Sequence, residues 1–85
     1  MTTTVKAETM LDAMHKLADW REELEKVVPL GNLKKSGKLI RQYAKTKDDV
    51  TLMEAIMKLE FEIDYIASKQ GMVLLQEEMQ WTLVG

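Results

Sequence analysis

The chain contains no cysteine, which removes disulfide cross-links and thiolate metal sites from the outset. Histidine and proline occur once each, as His15 and Pro29. Glycine occurs four times and is never clustered, so most of the chain is free to form regular structure. The longest unbroken apolar run, Met72 to Leu75, is far too short to cross a bilayer. Met1 to Lys6 lacks the apolar core of a secretory signal. Together these absences point to a cytoplasmic protein with no cofactor.

The most informative absence concerns charge. Between Lys26 and Lys47 the chain carries seven of its twelve basic residues and no acidic one. The flanks hold all fourteen acids and only five bases. A net charge of −2 therefore hides a basic segment between acidic flanks. Opposite charges so segregated must meet within the fold, between copies or across a partner.

What is present places the chain among globular proteins. Hydrophobic residues make up 46% and charged residues 31%, enough for one small core and too apolar for a disordered chain. Ala, Leu, Met, Glu and Lys dominate over aromatic and β-branched types, which favours helix. The expected fold is all-α: a single domain of three helices with a long C-terminal helix.

The first helix is placed at about residues 5–27. Met10, Met14, Leu17 and Leu24 share a seam that Arg21 interrupts, Thr3 or Thr4 caps the start, and Pro29 closes the end. The second runs over about residues 33–45, with Asn32 as its cap. Leu33, Leu39, Ile40, Tyr43 and Ala44 gather on one side, and Lys34, Lys38, Arg41 and Lys45 form a stripe on the other. Gly37 falls toward the apolar side, which suggests close backbone packing. The third helix, capped by Asp48, is read as continuous through Gly71 over about residues 49–81. Leu52, Ile56, Leu59, Ile63 and Ile66 make its regular seam. Met57, Phe61, Tyr65, Met72, Leu75 and Met79 make a second apolar face nearly opposite. A helix with two apolar faces must bury both, so that second face is assigned to self-association, as a helical homodimer.

Few motifs carry chemistry. The stretch from Gly31 to Leu39 has the look of a phosphate-binding loop but fails on glycine spacing, on the missing Ser/Thr after Lys38, and on the missing strand before it. His15 lies near Asp12 and Asp19, as a surface histidine ordinarily does; a helical di-metal site needs more ligands. Glu60 and Asp64, and the cluster Glu22, Glu23 and Glu25, read as solvated or paired carboxylates. Ser36 and Ser68 have no recognisable base beside them. No catalytic or metal-ligating set emerges, and an enzyme is not expected.

The basic stripe, Lys34, Lys35, Lys38, Arg41 and Lys45, is assigned to a partner, most simply an acidic protein. Nucleic acid is the runner-up, disfavoured by the acidic flanks. Seven methionines in 85 residues fit an adaptable binding surface as well as a core. The expectation is a small protein-binding module acting as adaptor, regulator or inhibitor through helix packing and charge complementarity. The alternatives are a nucleic-acid-binding regulator and a structural oligomerising subunit.

Overall fold

The chain opens with a strand, not a helix. In the computed structural model, which describes residues 2–85, the order is β1 (Thr2–Lys6), α1 (Met10–Leu24), a 3-10 turn (Gly31–Leu33), α2 (Ser36–Thr46), α3 (Asp49–Lys69), β2 (Val73–Glu77) and β3 (Gln80–Val84). The all-α expectation is thereby corrected: the fold is α+β, with a three-stranded antiparallel sheet packed against α3. β3 lies in the middle, with β1 and β2 at the edges.

Each correction has a local cause. Thr2 to Val5 are four consecutive β-branched residues, a run that fits a pleated strand better than a helix start. The first helix begins later, with Thr9 as N-cap accepting from the Asp12 amide at 3.0 Å. The Asp12 carboxylate in turn accepts from the Glu8 amide at 3.1 Å. That backbone hydrogen bond, helped by Lys16 beside it, holds the Asp12 carboxyl below its ordinary range. α1 stops at Leu24, and a turn carries the chain into Pro29.

Gly71 is the decisive point for the C-terminal half. It sits at φ +71°, in the left-handed region that glycine alone enters without a side-chain penalty. The Met72 amide donates to Ala67 O at 2.8 Å and the Gly71 amide to Ser68 O at 3.2 Å, which is the Schellman pattern that ends a helix. α3 therefore closes at Lys69 and spans about 31 Å at the usual rise. The expected helix to residue 81 does not exist, so the continuous pairing face expected along it is broken at Gly71. Residues 73–84 form a β-hairpin instead. Trp81 and Leu83 are buried while Gln80, Thr82 and Val84 alternate with them outward, the period of two that marks a strand. Met72, Leu75 and Met79 also happen to fit a helical spacing, which is why the two readings compete.

The core lies between the inner face of the sheet and the paired helices α1 and α3. Ala13, Met14 and Leu17 meet Leu52, Ala55, Ile56, Leu59, Ile63 and Ala67, and Trp81 and Leu83 close it from the sheet. α2 packs on α3 through the half-buried Leu39, Ile40 and Tyr43. Gly37 makes no core packing: a Cβ there would meet the Arg41 guanidinium at 3.3 Å.

α2 has no capping side chain of its own. Asn32 lies within the preceding 3-10 turn, and the N-cap residue, Lys35, makes no side-chain cap. The cap comes from α3. Glu62, fully buried, accepts from the Lys35 amide at 2.7 Å and the Ser36 amide at 2.8 Å through Oε2, and from the Ser36 hydroxyl at 2.7 Å through Oε1. Arg21 Nε stands 3.5 Å from the same Oε1, an ion pair without hydrogen-bond geometry. Arg21 Nη1 reaches Glu25 at 2.9 Å, and Lys34 Nζ reaches Glu25 at 2.9 Å. Two carboxylates and two cations thus neutralise one another where the three helices meet.

Glu62→Ala removes the acceptor of the Lys35 and Ser36 amides and of the buried Ser36 hydroxyl, and leaves Arg21 with Glu25 alone. It should lower the stability measured by urea unfolding by about 3–5 kcal/mol, with Glu62→Gln costing less because it keeps acceptor capacity. Gly71→Ala should cost about 1–2 kcal/mol for the left-handed backbone alone, read as a lower unfolding midpoint with unchanged helicity.

Candidate functional site

α3 has a second apolar side. Val50, Met53, Met57 and Phe61 follow one another at helical spacing along its outer face, each between 52% and 63% exposed. Core residues Leu52, Leu59 and Ile66 point the other way. Exposed apolar residues scattered singly need no explanation, but a contiguous stripe does.

Beside this stripe lies a groove of about 290 Å3 between α3 and the hairpin. Four of the seven methionines line it: Met10 from the start of α1, Met53 and Met57 from α3, and Met79 from the hairpin turn. Ile56 and Trp81 also line it, and both are buried. The Trp81 indole N–H donates to Glu60 Oε2 at 2.6 Å, which holds the ring and fixes the carboxylate at the rim. Glu78 and Gln76 add polar groups on the hairpin side. A smaller hollow of about 240 Å3 lies toward α2, lined by Leu39, Glu54, Met57 and Lys58. Met57 is thus the wall shared by both.

Of the residues assigned to self-association, Met57 and Phe61 stand on this open face, and Met79 lines the same groove from the hairpin. Tyr65 is half-buried at the far end of α3 beside Lys69, whose ammonium lies 5.3 Å from its ring centroid. Met72 packs against the core from the α3–β2 connection, and Leu75 is exposed on the outer side of the sheet. The six are therefore split between the open face, the far end of α3, the core and the outer side of the sheet, because the helix expected to align them ends before Gly71. Met10, Met53 and Trp81 also line the groove, though none of them is among the residues that the sequence assigns to a binding face. Met53 and Met57 stand four residues apart, so their shared face follows from the sequence; Met10 and Trp81 join it only through tertiary packing.

The basic stripe is exposed along α2. Lys34, Lys35, Lys38 and Arg41 line an open hollow of about 360 Å3 beside Gly37, while Lys45 lies on the last turn of the helix, outside it. Lys34 is tied to Glu25. Among the described residues Lys35, Lys38, Arg41 and Lys45 take part in no ion pair. The segregated charge is only partly neutralised within the fold.

The remaining candidates are structural. Ser36 and Glu62 are hydrogen-bonded but both fully buried, out of reach of a substrate. His15 is exposed, and no group of three or more His, Asp or Glu side chains is placed to hold a metal among the described residues. No helix among them is long and apolar enough to cross a membrane. No protein-family model, curated protein or solved structure matches the chain.

Because Met57 is 63% exposed and Ile56 beside it 9%, their substitutions should separate cleanly. Met57→Glu should leave the unfolding free energy within about 0.5 kcal/mol of wild type, whereas Ile56→Ala should cost about 2–5 kcal/mol. Thermal unfolding followed by circular dichroism measures both.

Proposed function

We propose that the protein is a binding module for another protein, acting through the methionine groove and the outer stripe of α3, and doing no chemistry of its own. The observation that carries this reading is the concentration of four methionines around one open groove. Methionine is unbranched and polarizable, so a wall of methionines can adapt its shape to an inserted apolar side chain. The groove holds no nucleophile with a base beside it, and its carboxylate Glu60 is engaged by Trp81. Binding, with the consequent masking of a partner's apolar surface, is what such a surface can do. It fits an adaptor, regulator or inhibitor.

The unpaired cations of α2 support a second reading, in which the hollow around Lys38 and Arg41 follows a phosphate backbone. The two readings place the active surface on different helices. Immobilised protein carrying Met53→Glu and Met57→Glu should lose the partners that the wild type retains, while Lys38→Glu with Arg41→Glu should keep them. Retention of nucleic acid by the wild type, abolished by the α2 changes and lost steeply as salt rises, would overturn the first reading in favour of the second.

A further inference from the structure

We infer that the outer face of α3 receives an amphipathic helix whose apolar side chains are flanked by lysine or arginine. The inference rests on the protein-binding reading above and adds the chemistry of the occupant. Its first support is the pair of hollows. One lies on each side of Met57, toward the hairpin and toward α2. A ligand filling both must project two rows of side chains from one backbone. The i, i+3, i+4 and i+7 positions of a helix do this, whereas one face of a strand presents a single row. The stripe from Val50 to Phe61 covers about 16 Å of helix axis, room for three turns of a partner helix.

The second support is charge. Asp49, Glu54, Glu60 and Asp64 flank the stripe along α3, Glu78 stands across the groove, and Lys58 is the one base among them. None of these six takes part in an ion pair among the described residues. An apolar floor with an uncompensated acidic rim attracts a cationic helix and repels an acidic one. A second copy of this chain is the poorer fit. Its own basic helix, α2, already turns Leu39, Ile40 and Tyr43 toward α3, and so offers cations without apolar anchors.

The test uses the full chain with 13C-labelled methionine methyl groups and a synthetic leucine–lysine peptide patterned as an amphipathic helix. The methyl signals of Met53, Met57 and Met79 should shift on titration, while that of the core residue Met14, 3% exposed, should stay. A leucine–glutamate peptide of the same pattern should leave all of them in place. Glu54→Lys combined with Glu78→Lys should weaken the leucine–lysine peptide by about tenfold at low salt and less at high salt. Met57→Glu should abolish the groove shifts while the circular dichroism spectrum stays unchanged. Equal response to both peptides, or no groove response to the basic one, overturns the inference. Shifts of the same methyls on raising the protein's own concentration, with neither peptide competing, would sink the basic helix but keep the face as a protein-binding surface, now between copies.

Discussion

The carboxylate of Glu62 is the point on which the arrangement of helices depends. α2 is short, and a helix of eleven residues is marginal by itself in water. Its start is buried against α3, where open amides would each carry a desolvation penalty. Glu62 removes that penalty for two amides and a hydroxyl at once, and its charge also faces Arg21 of α1. Pairing buried charges in this way contributes little net stability compared with an apolar substitute. It does prescribe where α2 must begin and which way it runs, since only one turn of the helix presents those amides. The cluster acts as a register mark for three helices.

With one face committed to that junction and to the core, α3 is the hub of the fold, and its other face is free of structural duty. Val50, Met53, Met57 and Phe61 can change without disturbing the interior, and Leu59 or Ile63 cannot. The proposed binding surface and the folding core therefore lie on opposite sides of one helix. The hairpin joins them, since Trp81 closes the core with its ring and holds Glu60 at the groove with its N–H.

Much of the helical architecture was legible, because it rests on local periodicity and caps. The seam from Leu52 to Ile66 is the buried one and Asp48 does cap α3, whereas α1 and α3 are shorter than expected and α2 starts three residues later. The sheet was not legible as such. Met72, Leu75 and Met79 satisfy a helical and an extended reading equally, and Gly71 can sit inside a helix or end one. The four β-branched residues at the start, Thr2 to Val5, carry the strand signal, which a helix capped at Thr3 or Thr4 leaves out of account. Arg21 stands out in the sequence as a charge on an apolar seam, and the residue it faces is less conspicuous. Glu62 stands on the core side of α3 between Leu59 and Ile63. Two seam charges of opposite sign on different helices were a readable sign of a buried pair. For the site, Met57, Phe61 and Met79 do lie on or beside the open face, but through the folded hairpin and not through one long helix. The groove that unites two of them with Met10 exists only after the hairpin folds back.

The sheet joins strands from the two ends of the chain. Thr4 and Thr82, hydrogen-bonded side by side on β1 and β3 at 3.3 Å, are 78 positions apart in sequence. The helices, being local, can form and meet early, but Trp81 and Leu83 reach the core only with the last strand. Such long-range closure is slow and costs loop entropy before it is rewarded. On the ribosome the growing chain must hold an open apolar cleft along α1 and α3 until residue 84 has emerged. The interior is sealed only when β3 slides between the two edge strands.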